Sequence, residues 1–356
     1  MAKVLVGMSG GVDSSVAAKV LKDSGYDVTG VTLKMFASED IIETRTRTCC
    51  SLSDVEDARA VAYKLGFEHL VFNFRDVFGE FVIDKFIDSY VSGRTPNPCI
   101  ECNRHIKFDK MLKRAEELGF DYIATGHYAL KEYDEETGRW YLKRPADRSK
   151  DQTYVLYSLT QHQLEKTLFP LCGYEKTEVR KIAEEAGLVN SRKPDSQDIC
   201  FVPDGKYAEF IKKHTDKGST EGNFTDLEGN VLGKHTGIIN YTIGQRKGLG
   251  IALGKPAFVV KKDVESNTVV LGSNEDLFTS ELIAEDVNFM SVAGIDGEKR
   301  VTAKPRYNCA DSPATISMLP DGRVKVVFDT PQRAVTSGQA VVFYDGDKVL
   351  GGGTIV

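Results

Sequence analysis

Ser9-Gly10-Gly11-Val12-Asp13-Ser14 lies between a short apolar run and a helical pattern, an arrangement suited to holding phosphate. Glycines let the main chain turn tightly and bring several N–H groups onto one anion. The helix that follows points its positive end at the same place. Ser9 and Ser14 add hydroxyl donors, and Asp13 is placed to orient a magnesium ion or the loop itself. A glycine turn can also do no more than cap a helix, so the Gly-Gly pair alone decides nothing. A Walker loop ends in Gly-Lys-Ser/Thr, and no lysine lies here. A dinucleotide fingerprint needs Gly-x-Gly-x-x-Gly, and Gly7, Gly10 and Gly11 have the wrong spacing.

The second chemical signal is sulfur. Cys99-Ile100-Glu101-Cys102 follows Gly93-Arg94-Thr95-Pro96-Asn97-Pro98, a polar loop stiffened by two prolines. Asn103 is read as the start of a helix, which places Cys102 near a positive helix end with Arg104, His105 and Lys107 following. Dipole and cations both favour thiolate, so Cys102 is the candidate nucleophile. Two buried apolar cysteines would be an odd fit to so polar a loop. Cys200 stands among polar residues in Lys193-Pro194-Asp195-Ser196-Gln197-Asp198-Ile199-Cys200-Phe201, a weak signal alone. Cys172 and Cys309 have no such context and are read as incidental, and Cys49-Cys50 as surface thiols.

Strand and helix signals alternate through the first two hundred residues. Lys3–Met8, Tyr26–Met35, His69–Phe74 and Tyr122–Thr125 read as strands, and Asp13–Ser24 as a helix closed by Gly25. Ser53-Asp54-Val55-Glu56 reads as a capping box opening a helix that stops at Gly66. Phe78, Phe81, Val82, Phe86, Ile87 and Tyr90 recur at helical spacing as a core face, and Phe108, Met111, Leu112, Ala115 and Leu118 repeat it. This alternation predicts an α/β fold with a parallel sheet, whose ligands bind at the carboxyl ends of the strands. Past about Pro203 come a short helix (Tyr207–His214) and a glycine-rich stretch (Gly218–Gly254). Short strands follow, read at Ala257–Lys262, Thr268–Leu271, Val301–Arg306, Ala314–Met318, Val324–Phe328, Ala340–Tyr344 and Val349–Ile355, a pattern expected of a small β-barrel. The expected domains are 1–204 (catalytic), 205–275 (small, central) and 276–356 (C-terminal β-barrel).

With 356 residues, more than one core is expected. No apolar run nears the ~20 residues of a membrane helix, and the opening apolar stretch is too short for a signal peptide, so a cytoplasmic, membrane-free protein is expected. Seven unevenly spaced cysteines in that setting point to reduced, metal-binding or catalytic thiols rather than a disulfide framework. The formal net charge of -6 argues against coating polyanions indiscriminately. Two local islands are basic. Tyr90–Arg114 has six Lys/Arg against Glu101 and Asp109, a local +4, and Gly138–Thr153 has five against Asp147 and Asp151, a local +3. Each alone reads as a solvated face, whereas two flanking a candidate site make a nucleic-acid contact worth testing.

The hexamer at Ser9–Ser14 resembles the signature of the ATP pyrophosphatases, which split ATP between the α and β phosphates to adenylate a substrate. Joined to Cys102 and Cys200, it makes the chain resemble the tRNA-specific 2-thiouridylases over nearly its whole length. Gly93–Phe108, Ala124-Thr125-Gly126-His127-Tyr128, Lys150-Asp151-Gln152-Thr153-Tyr154, Asp195–Phe201 and His235–Ile251 (with Thr242-Ile243-Gly244-Gln245-Arg246-Lys247-Gly248) carry the likeness. That family replaces oxygen by sulfur at C2 of the wobble uridine. The resemblance implies Cys102 as nucleophile and Cys200 as carrier of the persulfide. It implies an ATP site of Gly7, Met8, Ser9, Gly10, Gly11, Val12, Asp13, Ser14, Leu33 and Gly126. Asn97, Pro98 and Cys99 would surround the target base, and His127, Lys150, Asp151, Gln152, Arg306, Tyr307 and Gln339 would contact tRNA, as would the small central domain, 205–275. Arg306-Tyr307 supplies a charge and a stacking ring, a usual RNA-binding pairing.

ATP, Mg²⁺, the anticodon region of tRNA and a sulfur donor (a relay protein or a cysteine desulfurase) are the cofactors and partners so implied. Many family members carry aspartate at the position of Cys99. Either a thiol replaces that aspartate here, or Cys99, Cys102 and Cys200 are the three ligands of a [4Fe–4S] cluster with one iron left open. A zinc site would want a fourth ligand. Two other readings compete: an ATP pyrophosphatase that forms amidino or amide bonds, like argininosuccinate synthase, and a nucleotide-sensing RNA-binding protein without chemistry.

Overall fold

The computed structural model describes residues 1–36, 52–195, 199–202 and 205–356. Cys49-Cys50 and residues 196–198 of the Cys200 segment therefore lie outside the described residues. Strands and helices alternate from the N-terminus: β1 (Lys3–Gly7), α1 (Val12–Asp23), β2 (Asp27–Lys34), α2 (Leu52–Leu65) and β3 (His69–Asn73). Short helices α3 (Arg75–Phe78), α4 (Lys85–Val91), α5 (Pro98–Glu101) and α6 (Met111–Glu117) lead to β4 (Tyr122–Ala124). A hairpin, β5 (Leu130–Asp134) and β6 (Arg139–Lys143), precedes α7 (Thr153–Leu156), α8 (Gln161–Glu165), β7 (Thr167–Leu168), α9 (Lys176–Glu185) and α10 (Tyr207–His214).

β1, β2, β3, β4 and β7 form a parallel sheet in the order β3-β2-β1-β4-β7. Val4, Leu5 and Val6 are all buried, as a central strand covered on both faces requires. One core, including Leu5, Val31 and Phe108, lies on one side of the sheet, and a second, including Val4, Val16 and Ala58, lies on the other. Because β2 and β4 flank β1 on opposite sides, the chain direction reverses there, and a crevice opens at the carboxyl ends of β1 and β4.

The helical cysteine segment departs from expectation. Asn97, not Asn103, caps the helix: its side chain accepts from the Cys99 N–H at 3.1 Å, and Pro98 takes the first helical position. From Cys102 to Lys110 the helix widens to π geometry before α6, and a similar π stretch, Gly79–Asp84, joins α3 to α4. Such widenings recur at functional sites because they re-aim side chains without ending the helix. The expected Ser53 cap is also corrected, since α2 already includes Leu52 and Ser53 is inside the helix.

The C-terminal half holds two β structures. β8 (Gly222–Thr225), β9 (Val231–His235), β10 (Phe258–Asp263) and β11 (Thr268–Gly272) form a small sheet ordered β10-β11-β8-β9. β12 (Phe278–Phe289), β13 (Glu298–Lys304), β14 (Ser312–Met318), β15 (Val324–Arg333), β16 (Ala340–Asp345) and β17 (Lys348–Ile355) form an antiparallel barrel closed by the β12–β17 pairing. The expected strands at 257–262 and 268–271 thus belong to the central sheet. β12 escaped the strand reading because Glu281, Glu285 and Asp286 interrupt its apolar alternation. The β5–β6 hairpin extends the barrel sheet through the pair Lys143 and Lys348.

The barrel grips the Gly93–Pro98 loop directly. Thr95 N–H donates to the Ser337 carbonyl at 2.9 Å, and Gln339 Nε2 donates to the Thr95 carbonyl at 2.7 Å. Gly338 permits this closeness: its φ is +88°, and an added Cβ would lie 2.9 Å from Arg94 Cβ. Gly338→Ala therefore combines a strained backbone with a clash, and we expect it to lower unfolding stability by about 1–3 kcal/mol. Denaturant melts of both proteins check this.

Candidate functional site

The glycine loop occupies the crevice at the end of β1. Gly11 caps α1 without a side-chain bond, so the first N–H groups of the helix are available to an anion. Gly10 has φ +72°, and a Cβ there would sit 2.5 Å from the Asp54 carbonyl oxygen. Ser14 Oγ accepts from the Ser9 N–H at 3.2 Å and donates to the Gly11 carbonyl at 3.1 Å, which holds the loop closed on itself. Gly126, at the end of β4, approaches so closely that an added Cβ would be 2.7 Å from Ser14 N. Leu33 is buried near the end of β2, and Met8 is buried with its carbonyl accepting from Thr32 at 2.9 Å.

Residues remote in sequence brace this loop, and sequence reasoning missed most of them. Lys176 Nζ bonds both Asp13 oxygens, at 2.6 and 2.7 Å, and pairs with Asp195 at 2.9 Å. Tyr128 donates to Asp13 at 2.8 Å. Asn190 Nδ2 donates to the Gly10 carbonyl at 2.9 Å and to Ser15 Oγ at 2.9 Å. Lys193 Nζ reaches the Gly10 carbonyl at 3.2 Å while pairing with Asp54 at 2.5 Å and Asp57 at 2.7 Å. A glycine loop with no lysine of its own thus receives ammonium groups from Lys176 and Lys193. One local signal existed for Lys176: it opens α9, where the helix dipole disfavours a cation, so a fixed partner was to be expected.

Asp195 joins this centre to the Lys150-Asp151-Gln152 segment. It accepts from Lys150 at 2.8 Å and from Arg180 at 2.8 Å as well as from Lys176. Partial burial opposes its charge, but the hydrogen bonds from Lys150 and Lys176 prevail and hold the carboxyl at about 2. Gln152 and Tyr128 are locked together, Gln152 Oε1 accepting from the Tyr128 N–H at 2.9 Å and the Tyr128 carbonyl from the Gln152 N–H at 3.1 Å.

Cys102 is buried, its Sγ 3.8 Å from Met35 Sδ, whereas Cys99 is exposed. Because the helix starts at Pro98, Cys99 occupies the first turn and Cys102 the start of the π stretch. Two of the cations expected beside Cys102, Arg104 and His105, pair with Glu101. Glu101 pairs with Lys85 at 2.9 Å, His105 at 3.3 Å and Arg104 at 3.9 Å. Burial works against the Glu101 carboxylate, yet bonds from His105 and Lys85 and the Arg104 charge outweigh it and hold the carboxyl at about 2. Cys200 packs onto the same core that buries Cys102. The link is aromatic: Phe201 meets Phe78 at 5.7 Å and Phe86 at 5.3 Å, and Phe78 meets Phe36, next to Met35, at 6.0 Å.

Asp151, Cys99 and Lys150 all lie within electrostatic range of Tyr307. Burial raises the Tyr307 hydroxyl pKa, Asp151 and Cys99 raise it further, and Lys150 opposes them. Tyr307 is partly exposed, 5.7 Å edge-to-face from Tyr154, with Lys304 5.5 Å over its ring. Arg306 donates to the Arg333 carbonyl at 3.4 Å. His127 lies apart from this surface: it is buried against Phe108, bonded to Thr125 at 2.8 Å, and burial then Lys107 push its pKa well down. Gln339 turns inward to Thr95.

The two basic islands prove largely neutralised. Arg94 pairs with Glu285 at 3.2 Å, Arg114 with Glu117 at 2.8 Å, Lys143 with Glu132 at 2.7 Å, Arg144 with Asp311 at 3.0 Å and Arg148 with Asp347. Several of these acids are more than 150 residues away, beyond any sequence window. Island charge alone therefore no longer argues for RNA. Among the described residues no group of three His, Cys, Asp or Glu is arranged to hold a metal, so the three-cysteine ligand set finds no geometric support. Asp13, with both oxygens on Lys176, is placed to orient the loop itself. Among the described residues no helix is long and apolar enough to cross a membrane.

Three family models cover the chain in order: a tRNA methyl transferase HUP domain (residues 2–204), a tRNA methyl transferase PRC-barrel domain (208–273) and an aminomethyltransferase beta-barrel domain (279–355). A protein of Clostridioides difficile named tRNA-specific 2-thiouridylase MnmA is 59% identical over 353 residues, covering 99% of this chain and 98% of that protein. The chain belongs to the tRNA-specific 2-thiouridylase family. A relative of the same name from Acetivibrio thermocellus is 55% identical over 355 residues, covering 99% of both, and one from Thermoanaerobacter sp. is 57% identical over 354, covering 99% of this chain and 97% of that protein. The domain descriptions speak of methyl transfer and the full-length relatives of 2-thiolation; identity above half along the whole chain favours the latter.

Two outcomes test the site. Because the folded Asp195 carboxyl titrates near 2 against 3.8 unfolded, its contribution is full above about pH 4 and fades as pH falls toward 2. Asp195→Asn should be less stable than wild type at pH 7, and its stability should fall less between pH 5 and 3, as read by urea melts. Gly126→Ala should weaken ATP binding about tenfold or more by displacing the first turn of α1, measurable by calorimetry.

Proposed function

We propose that this chain is an ATP-dependent tRNA-uridine 2-sulfurtransferase acting on the wobble uridine in the anticodon region. The observation that carries the reading is a glycine loop together with two cysteines, Cys102 and Cys200, that share one core, in a chain that matches its family along 98% of a relative's length. The loop N–H groups, Ser9 and Ser14 bind the nucleotide. The uracil C2 oxygen attacks the α-phosphorus and releases pyrophosphate, turning a poor leaving group into AMP. Asn97, Pro98 and Cys99 surround the base, which enters unstacked from a single-stranded loop.

Sulfur arrives as a persulfide on Cys200 from a donor protein, either a relay protein or a cysteine desulfurase. In one route Cys102 attacks the persulfide sulfur bonded to Cys200 and frees hydrosulfide, which adds to C2 and expels AMP. In the other, the terminal sulfur attacks C2, AMP leaves, and Cys102 then cleaves the S–S bond to release 2-thiouridine. Both end in a Cys102–Cys200 disulfide that a two-electron reductant must open. Cys99, Lys150 and Asp151, all within electrostatic range of Tyr307, support an RNA-facing site beside the first thiol. His127 and Gln339 then act from beneath, bracing Thr125 and Thr95. Mg²⁺ accompanies the triphosphate, and a cytoplasmic enzyme suits a tRNA substrate. A [4Fe–4S] route is the second version of the sulfur step, and an amide-forming ATP pyrophosphatase would leave both cysteines unused.

Cys102→Ser and Cys200→Ser should each abolish thiolation, assayed by mass spectrometry of tRNA, while ATP binding stays within about twofold; full activity in either sinks the assignment. Pyrophosphate release should be triggered by uridine-containing tRNA and not by a small amino acid. Cys99→Ser in an iron-free aerobic preparation should retain activity under the persulfide route, and joint loss of iron and activity would favour the cluster.

A further inference from the structure

Arg144 bridges two pieces of the chain that are far apart in sequence. It follows β6, and its main-chain N–H donates to the Asp347 carbonyl of the barrel at 3.1 Å. Its guanidinium lies 4.3 Å over the ring of the buried Tyr344. Nη2 reaches Asp311 Oδ1 at 3.0 Å, and Nε lies 3.7 Å from Asp151 Oδ2, so one cation serves two carboxylates. The three side chains are 20% (Arg144), 11% (Asp151) and 22% (Asp311) exposed, and salt screens them less than it screens a surface pair.

Each carboxylate is also fixed on its own side. Asp151 accepts from the Thr153 N–H at 2.9 Å and from its hydroxyl at 2.6 Å, and Thr153 Oγ1 meets the Tyr344 hydroxyl at 3.2 Å. Asp311 accepts from Thr302 of β13. Burial opposes the Asp311 charge, yet the bonds from Thr302 and Arg144 prevail and hold its carboxyl below its ordinary value. Asp151 is the middle residue of Lys150-Asp151-Gln152, and Asp311 ends the turn that carries Arg306-Tyr307 from β13 to β14. Cys309 ties that turn together, its N–H and Sγ both donating to the Arg306 carbonyl, at 3.4 and 3.1 Å. A shift of Asp311 is therefore passed to Arg306 and Tyr307.

We propose that Arg144 is a positioning residue for substrate RNA: without touching the polymer, it fixes the spacing between Lys150–Gln152 and Arg306–Tyr307, so that one strand meets both. The inference rests on the reading of the chain as a tRNA-modifying enzyme and deepens it, naming what aligns two halves of one surface supplied by the catalytic part and the barrel. A brace that only holds the two parts together is the competing role. Apolar packing of similar volume is often as stable as a buried set of charges, so three mostly buried charges argue for fixed geometry rather than adhesion. The planar fork of arginine sets direction as well as distance, which a point cation does not.

Asp311→Asn gives the deciding measurement, because two accounts predict opposite signs. It removes a negative charge, so charge alone predicts tighter tRNA binding, whereas loss of the bridge predicts weaker binding. Full-length wild type, Asp311→Asn, Arg144→Gln, Arg144→Lys and the double variant Arg144→Gln, Asp311→Asn are compared. Lys143→Gln, which removes a cation one residue away, controls for charge and should match wild type. Affinity for an unmodified tRNA transcript, ATP affinity, melting temperature and single-turnover thiolation across tRNA concentrations are measured. Asp311→Asn and Arg144→Gln should each weaken tRNA binding and raise the half-saturating tRNA concentration roughly tenfold, with the saturated rate and ATP affinity within about twofold. The double variant should be no weaker than Arg144→Gln, since both changes open one bridge. Arg144→Lys keeps the charge and loses the fork, so it should fall between wild type and Arg144→Gln. Asp311→Asn binding tRNA as tightly as wild type, or tighter, overturns the proposal. A lower melting temperature or a slower saturated rate with unchanged tRNA affinity also overturns it. If Arg144→Gln does not fold, the milder Asp311→Asn still decides. A wild type that binds no tRNA overturns the enzymatic reading and this inference with it, a result told apart from the others by that measurement alone.

Discussion

Lys176 placed between Asp13 and Asp195 is the interaction on which the site depends. The ammonium group holds Asp13, the acidic residue of the phosphate loop, and Asp195, which opens the segment leading to Cys200. Asp195 in turn holds Lys150 of the segment near Tyr307. The glycine loop, the segment leading to Cys200 and the residues proposed to face RNA therefore share one set of partly buried charges. Removing one member would leave the others desolvated and uncompensated, so the set is strongly coupled.

The thiol end is built by different physics. Cys102 and Cys200 are carried on an aromatic core in which Phe36, Phe78, Phe86, Phe201 and Phe210 meet edge-on or tilted. Apolar packing positions both thiols, while Lys85, Arg104 and His105 serve Glu101. The barrel completes the arrangement by clamping Thr95 through Ser337 and Gln339.

Charge was the least reliable guide in one dimension. A window of sequence counts Arg144 and Arg148 as exposed cations, but Asp311 and Asp347 reach them only in the folded chain.

Read residue by residue, the chain already showed the parallel-sheet architecture, the glycine loop and Cys102 as a candidate nucleophile, whereas Cys200 stood out only through the family resemblance. The first three are written in local terms: apolar runs bounded by turns, glycines where the main chain must approach an anion, and a thiol in a polar loop. The helix start was misread by several residues, since Asn97-Pro98 caps it and Asn103 is inside a widened π turn that periodicity does not reveal. Lys176, Asn190 and Lys193 as braces of the loop, the burial of His127 and the neutralised islands were decided only by tertiary structure. The loop braces and the Arg94, Arg144 and Arg148 pairs join residues more than a hundred positions apart, and only the folded sheet and barrel bring them within reach.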